Sequence, residues 1–178
     1  MPRTPALLRA SFVSLLLTLP LRAQTLEIGK LAPEIDLPSL AGERVRLSEL
    51  RGRPVVVTFW GTWCPPCRTE FPELIRVFRA HANVGLQVLA VNGRDQETSN
   101  KAVQKFVDRY AVPFSVVLDE RGVMRQSLKL VGLPTTVFVD TAGVVRRINV
   151  GPTSAMELDI GVGGWRHCRT CRGENKKN

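Results

Sequence analysis

Val55-Val56-Val57-Thr58-Phe59-Trp60-Gly61-Thr62-Trp63-Cys64-Pro65-Pro66-Cys67-Arg68-Thr69-Glu70-Phe71 is the stretch on which the reading of this chain turns. Its first six residues are almost continuously apolar and rich in β-branched side chains, the pattern of a strand covered on both faces. After Cys67 the pattern changes. Phe71, Leu74, Ile75 and Phe78 recur at helical spacing as far as His81, with Pro72 predicting a kink. A strand that runs straight into a helix delivers the two cysteines to the helix N-terminus. The helix dipole there favours thiolate, the reactive form of cysteine. Two cysteines separated by two residues can close a disulfide across one helical turn and open it again. Pro65 suits this turn, because the first helical position needs no N–H.

Outward from this stretch, residues 29–50 read as an extended, turn-rich lead-in. Ala32–Leu37 and Val45–Leu47 alternate apolar and polar residues around Ala41-Gly42, which predicts a hairpin. Leu86–Val91 and Phe114–Leu118 read as further core strands. Ala102, Val103, Phe106, Val107 and Tyr110 form a helical stripe, and Val123–Leu130 a short helix. Thr135–Val139 and Val144–Val150 flank Thr141-Ala142-Gly143 and predict a closing hairpin on the sheet edge. Strands alternating with helices, then a hairpin, specify an α/β fold with a mixed central sheet flanked by helices. With no repeat or low-complexity linker, residues 24–160 read as one domain. Ser154 is placed to cap a last helix through Ile160, which Gly161, Gly163 and Gly164 should stop. Residues 161–178 read as a basic, disordered tail.

The N-terminus bears on location. Arg3 and Arg9 precede a mostly apolar run, Ser11–Leu21, too short to span a bilayer comfortably. Residues 1–23 therefore read as a signal peptide or an uncleaved N-terminal anchor. A cut after Ala23 is imperfect, since it puts Leu21 at the −3 position. The expectation is an exported protein, periplasmic or otherwise extracytoplasmic. Of the formal net charge of +9, the leader holds three arginines, and residues 161–178 hold five basic residues against Glu174. The body is left near +2, with no aromatic-interleaved basic patch, so nucleic acid is not an expected partner.

The cysteine pair admits two chemistries. Zinc wants four ligands, commonly from two such pairs or from a pair plus histidines. The other candidates are His81, His167, Cys168 and Cys171, the last two about a hundred residues away. Redox use is the stronger reading, with no metal and no cofactor. Cys64, ahead of the helix, should be the exposed, acidic attacker, and Cys67, one turn in, the shielded resolving thiol. Glu70 lies three residues beyond Cys67 on the same face. Spacing alone fits a proton acceptor for Cys67 or a solvent-facing acid in the first turns equally well. Val131-Gly132-Leu133-Pro134-Thr135-Thr136 is a second candidate. A cis Leu133–Pro134 bond would present the Leu133 backbone to an extended peptide, while a trans proline merely opens the strand.

Phe59–Pro72, Gly132-Leu133-Pro134-Thr135-Thr136, and the lead-in Gly29-Lys30-Leu31-Ala32-Pro33 with Leu47–Gly52 together resemble the thioredoxin superfamily. The similarity is to its exported TlpA/ResA/CcmG-type thiol–disulfide oxidoreductases, over roughly residues 27–152. The resemblance implies a thioredoxin-like fold with an N-terminal β-hairpin and a βα insertion spanning Ala90–Tyr110. It implies a cis Pro134 facing the disulfide, Glu70 tuning the thiols, and Trp63, Pro65, Pro66, Leu133 and Pro134 meeting the substrate. It further implies a monomer that reduces disulfide-bearing protein substrates, apocytochrome c among them, with electrons from a membrane thiol reductant. Departures are visible. Thr58 stands where ordinary thioredoxins carry a buried aspartate, and Leu133 where a hydroxyl side chain is usual.

Three alternatives remain at this level. Cys168 and Cys171, with His167, form either a relay or metal site or an incidental pair in the tail. A peroxiredoxin-like thiol peroxidase shares the lead-in, but it wants a proline and a threonine where Val57 and Gly61 stand. A metal or haem chaperone would use Cys64 and Cys67 as ligands, which metal analysis of the reduced protein would expose.

Overall fold

The computed structural model describes residues 26–163 and carries eleven regular elements in this order. They are β1 (Asp36–Pro38), β2 (Arg44–Arg46), β3 (Val55–Trp60), α1 (Pro65–Ala80), β4 (Gln87–Asn92), α2 (Asn100–Tyr110), β5 (Ser115–Leu118), α3 (Val123–Ser127), β6 (Thr135–Val139), β7 (Val145–Val150) and α4 (Ala155–Gly163). The main sheet has the order β5-β4-β3-β6-β7, with β3 central. β3 runs parallel to β4 and antiparallel to β6, so the sheet is mixed as the alternation of elements required. β1 and β2 form the predicted N-terminal hairpin, a separate two-stranded sheet. Segment 90–110 holds the end of β4, its connecting loop and α2.

All six residues of β3 are buried, and strand alternation divides them between two faces. Val55, Val57 and Phe59 pack with Ile35, Leu47 and Leu128, the side covered by the hairpin region and α3. Val56 and Trp60 face α1, α2 and α4: Val56 packs with Leu74, Val77, Phe138 and Leu158, and Trp60 with Phe71 and Phe106. Thr58 lies on this second face, a polar residue in an apolar wall. Its partner across the strand pair is Thr136 of β6. Among the described residues, no helix is long and apolar enough to cross a membrane.

α1 runs unbroken for 16 residues with Pro72 inside it. α4 departs from the sequence expectation. Ser154 begins it as predicted, through a capping box in which Ser154 N donates to Glu157 Oε2 (2.9 Å) and Glu157 N donates to Ser154 Oγ (3.3 Å). Yet the helix continues through Gly161 to Gly163 instead of stopping after Ile160. The reason is tertiary. A Cβ built on Gly161 would sit 2.2–2.8 Å from ring carbons of Phe138, so the glycine lets α4 lie directly on the sheet. Packing thereby outweighs glycine's helix penalty of about 1 kcal/mol. α4 also docks on α1 through Asp159, which accepts from Arg76 Nη2 at 2.8 Å and lies 3.0 Å from His81 Nε2. Residues 1–23, expected to be a signal peptide or anchor, and the Cys168–Cys171 pair fall outside the described residues.

Candidate active site

The turn from β3 into α1 carries the cysteines. Cys64 is the N-cap of α1, in extended backbone (φ −88°, ψ 106°), and its sulfur accepts the Cys67 N–H at 3.2 Å. Pro65 and Pro66 follow at the first two helical positions, where no N–H is called for. Cys64 and Cys67 are joined by a disulfide (S–S 2.05 Å, Cα–Cα 5.3 Å). Both sulfur-bearing residues are covered in this oxidised state: Cys64 is 3% exposed and Cys67 0%. The expectation of an exposed Cys64 is therefore corrected. Cysteine is small, and here it is walled in by larger groups.

The asymmetry between the cysteines survives in their surroundings. Cys64, and not Cys67, lines an open groove of about 310 Å³ shared with Trp63, Pro65, Pro66, Gln96, Arg125, and Leu130 to Leu133. Trp63 is 47% exposed and Val131 86%, so the rim is apolar and wet. The Leu133–Pro134 bond is cis. Leu133 lines the groove, while Pro134 is itself buried and forms no part of the groove wall. Pro134 O accepts Gly151 N at 2.8 Å, whereas the Leu133 N–H and C=O carry no main-chain hydrogen bond among the described residues.

Glu70 is 1% exposed, which disposes of a solvent-facing acid. Its Oε1 accepts Thr136 Oγ1 (2.9 Å) and Thr153 N (3.1 Å), and its Oε2 accepts Thr58 Oγ1 (3.2 Å). Burial pushes its pKa above the ordinary carboxylate value, and the bonds from Thr136, Thr153 and Thr58 oppose that push without cancelling it. Thr58, standing where the related fold has an aspartate, is thus part of the same hydrogen-bonded cluster as Glu70. Among the described residues, no group of three or more His, Cys, Asp or Glu is arranged to hold a metal ion.

Several groups at the site carried no sequence signal. Gln96, Arg125, Leu130 and Val131 reach the groove from the β4–α2 loop and from α3 with its following turn. Thr153 reaches Glu70 across 83 residues. Neither spacing nor periodicity marks such contacts; only the alignment of Thr58 with Thr136 follows from pairing two strands.

The AhpC/TSA family profile matches residues 28–148. The thioredoxin-like protein YneN of Bacillus subtilis is 35% identical over 131 residues, covering 74% of this chain and 76% of YneN. The thiol-disulfide oxidoreductase ResA of Geobacillus kaustophilus is 33% identical over 132 residues, covering 74% of each. Among solved structures, a Chlorobium tepidum protein assigned as the thiol:disulfide interchange protein DsbE superposes with a TM-score of 0.71 at 30% identity. That match covers 78% of this chain and 97% of the other. With its cysteine pair joined at the start of α1 and these relatives along most of its length, the chain belongs to the thioredoxin-like AhpC/TSA family and is a thiol–disulfide oxidoreductase of the ResA/DsbE type.

Proposed function

We propose that this protein reduces disulfides of partner proteins outside the cytoplasm, with Cys64 attacking and Cys67 resolving. The observation that carries the assignment is the placement of Cys64. Its sulfur caps α1, accepts the Cys67 N–H at 3.2 Å, and belongs to the cysteine that borders the groove. Helix N-termini favour negative charge, so Cys64 is the thiol favoured as thiolate.

In the reduced protein the Cys64 thiolate attacks one sulfur of a substrate disulfide. A mixed disulfide forms and the substrate's other sulfur leaves as thiolate. Cys67 then loses its proton and attacks Cys64 Sγ, which releases the second substrate sulfur. Two electrons pass to the substrate, and the enzyme is left as the Cys64–Cys67 disulfide. Glu70 is the proposed acceptor of the Cys67 proton. Its raised pKa makes it a stronger base than an exposed glutamate, as a thiol's proton requires. The Leu133 backbone at the groove, with no main-chain hydrogen bond among the described residues, supports extended peptide binding there, with Trp63, Pro65, Pro66 and the cis Pro134 turn shaping the site.

The basic and then apolar leader supports export, so the proposed place of work is periplasmic or otherwise extracytoplasmic. A membrane thiol reductant is the proposed electron source. Apocytochrome c is the proposed substrate, since its Cys-x-x-Cys-His segment must be reduced before haem is joined to it. Val57, in the apolar core, and Gly61, with no side chain, stand where a peroxidase wants its proline and threonine, so neither residue has a counterpart here.

The test is substrate trapping in cells with Cys67→Ser. The expected result is a mixed disulfide between Cys64 and apocytochrome c, with Cys64→Ser inactive in insulin reduction. Failure to trap any protein would overturn the assigned cysteine roles. Trapping of other proteins alone would overturn only the substrate.

A further inference from the structure

The loop that carries Cys64 is tied to the rest of the molecule by a carboxylate from another segment. Glu97 lies in the β4–α2 connection. Its Oε1 accepts the Thr62 backbone N–H at 2.6 Å, and its Oε2 accepts the Thr62 hydroxyl at 2.5 Å. Oε1 also accepts Asn92 Nδ2 at 2.9 Å. Asn92 is fully buried at the end of β4, opposite Trp60 in the strand register, so the tether ends on the rigid sheet. The Glu97 carbonyl is held in turn by Arg94 Nη1 at 3.1 Å. Thr62 stands two residues before Cys64. Between them the chain turns tightly, with Cys64 N donating to Gly61 O at 3.2 Å. A Cβ on Gly61 would lie 2.8 Å from the Trp63 indole, so that ring is folded back onto the same turn.

We propose that Glu97 is a positioning residue for the exchange reaction. By gripping the N–H and the hydroxyl of Thr62 it holds the Gly61–Cys64 turn so that the Cys64 sulfur stays at the N-terminus of α1, against the Cys67 N–H. The helix N-terminal field fades within one turn, so a loose turn would forfeit much of the stabilisation of the thiolate. The inference rests on Cys64 being the attacking thiol. The other charged groups facing this turn are Arg125, paired with Asp95 at the groove, Glu70 and Arg68 on α1, and Lys105, Asp108 and Arg109 of α2, which border a surface groove with Thr62. Among the described residues, the hydrogen bonds to the Thr62 N–H and hydroxyl come from Glu97 alone.

Charge and position predict opposite signs. A negative group near a thiolate raises its pKa, so if Glu97 acted only as a charge, removing it would make Cys64 more acidic. If it acts as a tether, removing it lets the turn drift and makes Cys64 less acidic. The experiment uses the reduced full-length chain as wild type, Glu97→Ala and Glu97→Gln. The rate of Cys64 alkylation is followed against pH by peptide mass spectrometry, which separates it from Cys67, Cys168 and Cys171. The unfolding midpoint is measured beside it.

Glu97→Ala is expected to move the Cys64 pKa up by about one unit toward the free-thiol value of about 8.5, an about tenfold loss of thiolate at neutral pH. Glu97→Gln is expected to recover most of it. Its carbonyl can keep the bonds from Thr62 N and Asn92, and the Thr62 hydroxyl can turn to accept from its amide. A fall in the Cys64 pKa in both variants would overturn the proposal in favour of a charge effect. An unchanged pKa with a lowered unfolding midpoint would reduce Glu97 to a structural residue. A wild-type Cys64 as weakly acidic as a free thiol would overturn both this inference and the cysteine roles beneath it.

Discussion

Glu70, three residues after Cys67 on α1, and Glu97, which holds the loop two residues before Cys64, use the same chemistry: each accepts from at least one threonine hydroxyl and from one backbone N–H. They differ in where the donors come from and in how much water reaches them. Glu70 is 1% exposed and is held by Thr58 of β3, Thr136 of β6 and Thr153 ahead of α4. Glu97 is half-buried and takes two of its three bonds from a single residue of the cysteine loop. A carboxylate sealed among neutral donors has its pKa driven up and becomes suited to carrying a proton. One at the edge of solvent, bonded to the cysteine loop through Thr62 and to β4 through Asn92, is suited to holding that loop in place. The two proposed roles, proton acceptor for Glu70 and tether for Glu97, thus follow from burial and from which elements supply the donors.

Glu70→Gln breaks the comparison most severely. The amide keeps the shape but takes up no proton from Cys67, so resolution of the mixed disulfide should slow by about 10²- to 10⁴-fold. In the wild type that step should slow as pH falls through the raised Glu70 pKa, and in Glu70→Gln the dependence should vanish. Single-turnover release of a chromogenic thiol would measure both. Stability carries the matching sign. A carboxyl with a raised folded pKa binds its proton more tightly folded than unfolded. Its contribution is complete below the unfolded value and is lost as pH rises through the folded one. Denaturant titrations across that window should show wild-type stability falling with pH, and Glu70→Gln free of that component.

Gly161→Ala should come next. Its methyl would meet Phe138 at 2.2 Å, and overpacking of this kind typically costs about 1–3 kcal/mol, offset by up to about 1 kcal/mol of helix propensity. Thr153, two residues ahead of α4, donates its N–H to Glu70, so pushing the helix outward should also disturb the Glu70 titration. Cys64 acidity, governed from the Glu97 side, should stay put. A Cys64 shift as large as the Glu70 shift would show that the two clusters are not independent. Thr136→Val is the mildest of the three. It deletes one donor to Glu70 at a cost of about 1 kcal/mol and should raise the Glu70 pKa further, detectable as an upward displacement of the same pH profile.

Much of this molecule could be read along the chain. β3 and α1 follow from an apolar run giving way to helical spacing, and both hairpins follow from alternation around Gly42 and Gly143. The cysteine turn follows from proline at the first helical positions. The misreadings share a cause, since each concerns a residue whose environment comes from a distant segment. Gly161 reads locally as a helix stop, but Phe138 makes it a packing site. Cys64 at a helix start reads as exposed, but Trp63 and the turn before Pro134 wall it in.

Sequence by itself determined the order of elements, the layered α/β arrangement and the identity of the reactive pair. These depend on periodicity, turn chemistry and spacing, which act over a few residues. Tertiary structure alone decided that Glu70 is sealed from water among Thr58, Thr136 and Thr153, and that Thr62 is gripped by Glu97. Burial and long-range hydrogen bonds join residues between 12 and 83 positions apart, and no local pattern encodes which of them will meet.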